Sequence, residues 1–343
     1  MDHSDVNFRR EGLIARITLN RPKALNALTH GMVEAMLAQL QDWAREDDVR
    51  AVLLDAIPGR AFCAGGDIRA ILEAAKRRDG SAAAFFNTEY RLNAAIRRFS
   101  KPYVALIDGI AFGGALGISI HGSHRVVSEN AAMSMPETLI GFFPDIGASH
   151  FLNRCPGETG MYLALTGARL KAADLLYTGL ATHFVPAVRM PDVAPRLASG
   201  ETPDGILAGL ADDPGPAPLT NVRAAIDRAF AAPSLEAVFE ALAREGDWGA
   251  STAAQLATLS PTSLKLTFRL MREARGLDLE SCLRLEYRLA ARMAYHPDFA
   301  EGVRAAVIDK DQKPRWNPGE LWQIRDKDIG GYFTSLGAQE LTF

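Results

Sequence analysis

Two strand-turn-helix passages constrain the fold of this chain more than any other feature of its sequence. In each passage a short apolar run comes before a pair of glycines, and residues at helical spacing follow. Continuous apolar runs of this length are typical of strands that are buried on both faces of a sheet. Together with further alternating strand and helix signals, the passages predict an α/β layered fold over roughly the first 185 residues. The apolar runs are residues 51–54 and 103–107, and the glycine pairs are Gly65-Gly66 and Gly113-Gly114.

The last third of the chain has helical periodicity and almost no strand signal. Cap-like helix starts occur at Ser234 and at Ser260-Pro261. Between Pro186 and Pro218 the composition shifts to Pro, Gly, Ala and Asp, which indicates a connector that carries little chemistry. The predicted organisation is a core over residues 1–186, a connector over 187–218 and a helical region over 219–343.

Composition excludes several classes of protein. The 343 residues are 48% hydrophobic, which is enough to bury a sizeable core, and the net charge of -3 predicts no binding to nucleic acid or anionic membranes. The three cysteines, Cys63, Cys155 and Cys282, are too few and too scattered for a disulfide framework. No apolar run approaches the ~20 residues that span a bilayer, and the polar start is unlike a targeting peptide. We therefore expect a cytoplasmic protein.

The glycine pairs have two interpretations. If the N–H groups of Gly66 and Gly114 converge on one point, they form an oxyanion hole that stabilises negative charge on a carbonyl oxygen. Glycine suits this task because no Cβ blocks the approach of a substrate. Equally, each pair can be a tight turn that lets a helix pack on a strand. The sequence pattern alone leaves both interpretations open.

Two carboxylates, Glu137 and Asp145, lie among apolar residues in the segment from Met133 to Gly147, and each follows a proline. Apolar surroundings raise the pKa of a carboxyl group, which suits general acid and base catalysis near neutral pH. The alternative is that both are loop acids that reach solvent.

Other kinds of site lack their motifs. The chain has neither a phosphate-binding Gly-x-x-x-x-Gly-Lys-Ser/Thr loop nor a Gly-x-Gly-x-x-Gly, so a nucleotide cofactor is not predicted. No Gly-x-Ser-x-Gly elbow supplies a serine nucleophile. His121 and His124 have no zinc-type partner motif, and no metal is predicted. Cys63 fits the role of a small buried hydrophobic residue better than that of a nucleophile.

Three segments resemble the signature segments of the crotonase (enoyl-CoA hydratase/isomerase) superfamily. The resemblance implies a repeated ββα spiral core, here with a helical C-terminal region, and acyl-CoA thioesters as substrates. It also implies that Gly66 and Gly114 form the oxyanion hole and that no separate cofactor is needed, because coenzyme A is part of the substrate. The segments are residues 20–28, 61–68 and 108–114.

Further segments resemble one branch of this superfamily, the 3-hydroxyisobutyryl-CoA hydrolases. This resemblance implies hydrolysis of a short 3-hydroxyacyl-CoA, most readily 3-hydroxyisobutyryl-CoA to 3-hydroxyisobutyrate and CoA, in valine degradation. Glu137 would be the reactive acid, and Asp145 would bind the 3-hydroxyl of the substrate. The segments are residues 135–138, 143–145, 165–167, 181–185, 260–265, 301–305, 309–312 and 314–316.

Two positions favour hydrolysis over hydration within the superfamily. Its hydratases use two glutamates on one water, and the first of these positions is Gly117 here. Where many relatives have glycine, this chain has Asp145, as the hydrolases do. Ala115 departs from the hydrolase pattern, in which a further glycine often follows the pair.

The resemblance also implies a set of substrate contacts. It leaves a homo-oligomer open, because family members commonly form trimers but the helical C-terminal region could replace the contacts of a neighbouring subunit. Two other functions stay open, namely an enoyl-CoA hydratase or isomerase that works with Glu137 alone and an acyl-CoA-binding protein without activity. The implied contacts to the acyl-CoA are Lys23, Ala24, Ala64, Asp67, Ile68, Arg69 and His121.

Overall fold

The structure, a computed structural model, describes residues 5–343, which form two compact units. The first unit comprises the described part of Met1–Asp67 together with Thr88–Ser134 and Arg169–Ala217. The second unit comprises Ile68–Asn87, Met135–Ala168 and Pro218–Phe343. The two units are interleaved along the sequence. The predicted division into continuous domains at residues 186 and 218 stays a prediction.

The strands of the described residues all belong to the first unit. They are β1 (Val6–Glu11), β2 (Ile14–Leu19), β3 (Ala51–Ala56), β4 (Ala61–Cys63), β5 (Tyr103–Ile107), β6 (Ile110–Phe112), β7 (His124–Val127), β8 (Ala132–Ser134) and β9 (His183–Phe184).

These strands form two sheets. The larger sheet has the order β1-β2-β3-β5-β7-β9, and all neighbouring pairs except the antiparallel β1–β2 pair are parallel. The smaller sheet, β4-β6-β8, is entirely parallel. Each successive pair, β3–β4, β5–β6 and β7–β8, contributes one strand to each sheet, and a helical segment follows each pair. This repeated unit confirms the predicted ββα core of an α/β fold.

The strands that could be predicted from the sequence are the buried ones, because burial requires a run of apolar residues. Every residue of β5 is buried, and so are the first five residues of β3, as expected for central parallel strands. In contrast, β1 is an edge strand with mostly polar, partly exposed residues, and sequence analysis did not predict it. An edge strand is hydrogen-bonded on one side only, so it does not need an apolar run.

Of the sixteen helices of the described residues, seven lie within residues 219–343, where no strand occurs. The helix starts predicted at Ser234 and Ser260 are confirmed, because each of these side chains accepts a hydrogen bond from a backbone N–H in the first turn. The helices are α1 (His30–Arg45), α2 (Ile68–Arg77), α3 (Ser81–Arg98), α4 (Gly114–Gly117), α5 (Ala148–Phe151), α6 (Thr159–Thr166), α7 (Ala172–Tyr177), α8 (Val193–Ala198), α9 (Pro203–Leu210), α10 (Arg223–Phe230), α11 (Leu235–Leu242), α12 (Gly246–Leu256), α13 (Pro261–Glu273), α14 (Leu279–Met293), α15 (Pro297–Val303) and α16 (Asp326–Phe333).

The segment expected to be a connector is instead largely helical. Helices α8 and α9 lie within residues 187–218, and their apolar side chains pack on one face of the larger sheet. Val193 and Leu197 of α8, and Ile206 and Leu207 of α9, are buried in one core cluster with Leu53 of β3. Sequence analysis missed these helices because the many Pro, Gly and Asp residues of the segment are typical of loops.

We expect the Leu207→Ala variant to lose about 2–5 kcal/mol of unfolding free energy, because truncation of a fully buried leucine leaves a cavity. Chemical denaturation of the purified variant measures this loss. Val188→Ala is the matched control in the same segment, since Val188 is 84% exposed and its truncation should change stability by less than about 0.5 kcal/mol. Equal stability of the two variants would show that α9 is not part of the core.

Candidate active site

The turn after β2 is held against β4 by the buried side chain of Asn26. Its Oδ1 accepts a hydrogen bond from the N–H of Arg21 at 2.8 Å, and its Nδ2 donates to the carbonyls of Ala61 and Phe62 at 3.1 Å each. The backbone of Leu25 and Asn26 is left-handed, which fits a tight turn. This turn carries two of the predicted contacts, exposed Lys23 and partly buried Ala24.

The first glycine pair follows directly after β4. Leu28 donates its N–H to Gly65 O at 2.8 Å and accepts the N–H of Asp67 at 2.8 Å, so that Leu28 and Gly66 form a parallel bridge. In such a bridge the N–H of the central residue points away from the partner strand. The N–H of Gly66 is therefore directed away from Leu28.

The second glycine pair follows β6. Gly113 donates its N–H to Ser134 O at 3.0 Å, and Gly114 begins α4, where a first-turn N–H has no acceptor within the helix. A Cβ atom built at Gly114 would lie 3.1 Å from Gly66 N, and one built at Gly65 would lie 3.3 Å from Gly114 N. The two predicted amides are therefore neighbours in the first unit.

Neither amide has an acceptor within residues 5–343. Among the described residues, no backbone hydrogen bond uses the N–H of Gly66 or Gly114. Gly114 is buried and Gly66 is partly exposed. More than nine in ten buried backbone N–H groups in proteins are paired, so the N–H of Gly114 without an acceptor is unusual. Such a pair suits an oxygen atom of a ligand on which negative charge develops.

Glu89 is a neighbour of these amides that sequence analysis missed. Its Oε1 lies 2.8 Å from the Cβ position built at Gly114, and the side chain is only 2% exposed. Asn93, one turn later in α3, is also buried and donates to Gly117 O at 3.0 Å. The available signal was an acid at helical spacing with Phe85 on the apolar face of α3, which is a costly position for a carboxylate without a specific role.

Cys63, immediately before the first glycine pair, is a buried thiol. Burial raises the pKa of Cys63 to about 12, so the sulfur is protonated at neutral pH and is a poor nucleophile. This agrees with its interpretation as a small buried hydrophobic residue.

The remaining predicted contacts differ in their surroundings. Asp67 forms an ion pair with Arg21, with a 2.9 Å bond between Oδ2 and the guanidinium, and this pair braces the turn after β2. His121 is buried in the first unit. In the second unit, Arg69 on α2 is exposed, and its guanidinium donates to Val307 O at 2.6 Å.

Glu137 lies in the second unit at the start of a tight helical turn, Glu137–Ile140, that follows Pro136. Its side chain is 8% exposed, and its carbonyl accepts the N–H of Phe142 at 3.0 Å. The sequence prediction placed this acid among apolar residues, and the structure shows it buried. The alternative of a loop acid in solvent does not hold for Glu137.

Asp145 is also buried in the second unit, at 5% exposed, and it precedes a turn with unusual backbone geometry. Ile146 has φ +57° and Gly147 has φ +84°. Left-handed backbone is readily adopted by glycine but is unfavourable for a β-branched residue such as isoleucine. The turn that carries Asp145 is therefore strained at Ile146.

Glu286 on α14 holds this turn, and sequence analysis missed it too. Its Oε2 accepts the N–H of Gly147 at 2.6 Å, and its Oε1 accepts the N–H and hydroxyl of Ser149 at 2.9 and 2.6 Å. The side chain is fully buried. Burial raises the pKa of Glu286 to about 8, the nearby Asp145 carboxylate acts in the same direction, and the three hydrogen bonds act against it.

The structure thus distributes the predicted site residues between the two units. Glu137 and Asp145 lie in the second unit with Ile68 and Arg69, whereas both oxyanion-hole candidates lie in the first. Their roles stay predictions. The first unit also contains the other predicted substrate contacts, which are Lys23, Ala24, Ala64, Asp67 and His121.

We expect Glu286 to make stability depend on pH. The pKa of about 8 in the folded state lies above the value of about 4.3 for an unfolded glutamate, so the folded protein binds this proton more tightly. The stabilisation is complete below pH ~4 and is lost as the pH rises through about 8. Glu286→Gln cannot titrate, so the unfolding free energy of wild type minus that of the variant should fall between about pH 5 and 8. Denaturant titrations at several pH values measure this difference, and a constant difference would contradict the assignment.

Comparisons with known proteins agree with the motifs. Curated relatives with the name 3-hydroxyisobutyryl-CoA hydrolase, mitochondrial, include one from Xenopus tropicalis, 46% identical over 97% of this chain and 89% of the relative. The human relative of the same name is 39% identical over 99% of this chain and 91% of the relative. The resemblance to the hydrolase branch is thereby confirmed.

Two solved structures match the whole fold but carry other names. One, described as a carnitinyl-CoA dehydratase from Mycobacterium thermoresistibile, has a TM-score of 0.95 and 40% identity, with 99% of each chain covered. Another, described as an enoyl-CoA hydratase from Rhodobacter sphaeroides, has a TM-score of 0.93 and 38% identity over 99% of this chain and 100% of the other. The crotonase fold is therefore confirmed.

The prediction of a cytoplasmic protein is not confirmed. The vertebrate relatives are named as mitochondrial. Within residues 5–343, no helix has the length and apolar character needed to cross a membrane.

The enoyl-CoA hydratase/isomerase family matches residues 14–333. This match spans most of the chain, and it agrees with the relatives and with the two sheets built from repeated strand pairs. The chain belongs to the enoyl-CoA hydratase/isomerase family, the crotonase superfamily that its motifs resemble.

Proposed function

We propose that this chain is an acyl-CoA thioester hydrolase that cleaves a short 3-hydroxyacyl-CoA, most readily 3-hydroxyisobutyryl-CoA, to 3-hydroxyisobutyrate and CoA. The observation that carries the proposal is the pair of adjacent amides at Gly66 and Gly114, which have no acceptor in the described residues. The hydrolases that are 39–46% identical to this chain support the substrate and the reaction. The place of this activity in valine degradation stays a prediction.

The two amides act as an oxyanion hole in this proposal. They donate hydrogen bonds to the thioester carbonyl oxygen, which gains negative charge as the carbonyl carbon is attacked. Because the donors are fixed before the reaction, they stabilise this charge without reorganisation, and each is worth about 3 kcal/mol. We include Glu89 among the substrate contacts because its Oε1 lies 2.8 Å from the Cβ position built at Gly114.

Glu137 is the reactive acid of the proposal, by one of two routes. As a nucleophile, its carboxylate attacks the thioester carbon, CoA leaves as a thiolate that takes up a proton, and water then hydrolyses the mixed anhydride. As a general base, Glu137 instead takes a proton from the water that attacks the thioester. In both routes water supplies the oxygen of the acid product.

The remaining residues bind and orient the substrate. Asp145 accepts a hydrogen bond from the 3-hydroxyl group, which explains a preference for 3-hydroxyacyl groups. The exposed cations Lys23 and Arg69 bind the phosphates of coenzyme A. The proposal requires neither a metal nor a separate cofactor, and it does not depend on the oligomeric state.

Hydration is the second candidate function, since the two solved structures are described as a dehydratase and a hydratase. In the superfamily pattern a hydratase has a glutamate at the position of Gly117. Here that residue is a buried glycine in α4, and its carbonyl accepts the hydrogen bond of Asn93. The chain therefore lacks the first of the two glutamates, which favours hydrolysis.

A thiol-release assay on three acyl-CoA compounds tests the proposal. We expect rapid release of CoA from 3-hydroxyisobutyryl-CoA, slower release from 3-hydroxypropionyl-CoA, and no loss of the absorbance of crotonyl-CoA. Glu137→Gln should abolish thiol release and leave acyl-CoA binding intact, whereas Glu273→Gln, a surface control on α13, should leave activity unchanged. Loss of crotonyl-CoA absorbance without free thiol would show that the chain is a hydratase instead.

We also expect Gly114→Ala to lower kcat by about 10²–10³, the effect of losing one oxyanion-hole donor. The added methyl group would lie 3.1 Å from Gly66 N and would block the approach of an oxygen to that amide. Gly31→Ala is the matched control, because a Cβ at Gly31 on α1 meets nothing within 4 Å. Melting temperatures should show that both variants fold, and a fully active Gly114→Ala would contradict the oxyanion hole.

A further inference from the structure

We propose that Glu286 is a positioning residue that fixes the turn carrying Asp145 and thereby determines selectivity for 3-hydroxyacyl groups. The inference rests on the proposed function, because it takes Asp145 as the partner of the 3-hydroxyl. Glu286 is 139 residues from Gly147 in the sequence, yet three hydrogen bonds join its carboxyl group to the turn in the second unit.

The turn needs an external support. Ile146 has φ +57°, a backbone conformation that isoleucine adopts only where surrounding contacts impose it. Gly147 follows with φ +84°, and Ala148 donates its N–H back to Asp145 O at 2.9 Å. Two consecutive left-handed residues directly after Asp145 mean that relaxation of the turn would move the Asp145 carboxylate.

Glu286 supplies that support from a rigid element. It is the eighth of the 15 residues of α14, and its side chain is fully buried. Its two oxygens bind the residues on both sides of Ala148, Gly147 by its N–H and Ser149 by its N–H and hydroxyl. The left-handed residue Gly147 is therefore held directly, and the start of α5 is held with it.

The turn needs an acceptor for each of two backbone N–H groups, those of Gly147 and Ser149. A buried N–H group that loses its acceptor is costly, and both Gly147 and Ser149 are buried. Glutamine keeps one carbonyl oxygen but replaces the other with an amide nitrogen that cannot accept a hydrogen bond. In Glu286→Gln, either Gly147 or Ser149 therefore loses its partner, while the size of the side chain is preserved.

The test is a selectivity ratio, namely kcat/KM for 3-hydroxyisobutyryl-CoA divided by kcat/KM for isobutyryl-CoA, which lacks the hydroxyl. We expect Glu286→Gln to lower this ratio by about tenfold, toward the ratio of Asp145→Asn, with little change for isobutyryl-CoA. Glu340→Gln is the matched control, because Glu340 binds Arg288 of the same helix and does not contact the turn. Its ratio should equal that of wild type.

If Glu286 had only a structural role, Glu286→Gln would lower kcat/KM equally for both substrates. That result would overturn the proposal. Ser149→Ala, which removes only the hydroxyl bond, should lower the ratio by about two- to threefold and covers the case in which Glu286→Gln does not fold. If the wild-type chain releases CoA from neither compound, the proposed function is wrong. A crystal structure of Glu286→Gln then tests independently whether Glu286 holds the turn. We expect the φ angle of Ile146 to become negative in this variant. An unchanged turn would overturn the inference.

Discussion

Two adjacent backbone N–H groups, which have no acceptor in the part of the chain that the structure describes, are the constraint on which the local structure of the first unit depends. Leaving such donors unpaired is unfavourable, so the surrounding chain must hold them rigidly in place. The parallel pairing of β4 with β6 brings the two glycine pairs to the same end of the smaller sheet. Asn26 fixes the preceding turn, and the bridge between Leu28 and Gly66 orients the first N–H. Each of these contacts joins residues that are distant in the sequence, so the two N–H groups become neighbours only when the strands have paired.

Local sequence patterns predicted much of this fold. The apolar runs of β3 and β5 and the capping serines Ser234 and Ser260 are short-range signals, and the structure has the expected element at each. Both glycine pairs follow strands as expected. The edge strand β1 and the helices within residues 187–218 were missed, because their polar and Pro-rich residues outweigh the apolar positions that pack.

The candidate site was only partly predictable, for a physical reason. Gly66, Gly114 and Glu137 could be predicted as site residues because their residue types and the surrounding motifs resemble those of the family. The adjacency of two amides, in contrast, depends on the register of strands that are nearly fifty residues apart. Glu89 and Glu286 lie on helices, and only packing shows that their carboxyl groups are buried beside the segments predicted to form the site. Buried acids of this kind have no local signature beyond an unexpected charge on an apolar helix face.

The C-terminal helices also have a more specific role in the second unit than their sequence indicated. The turn that carries Glu137 packs so closely on α15 that a Cβ at Gly141 would overlap the carbonyl of Asp298, and one at Gly302 would overlap Ile140. The turn that carries Asp145 is bonded to α14 through Glu286. Both proposed acids are therefore held by helices from the last quarter of the chain. The C-terminal helices therefore fix the two segments that carry these acids, and a fixed geometry is what the proposed roles of both acids in thioester hydrolysis require.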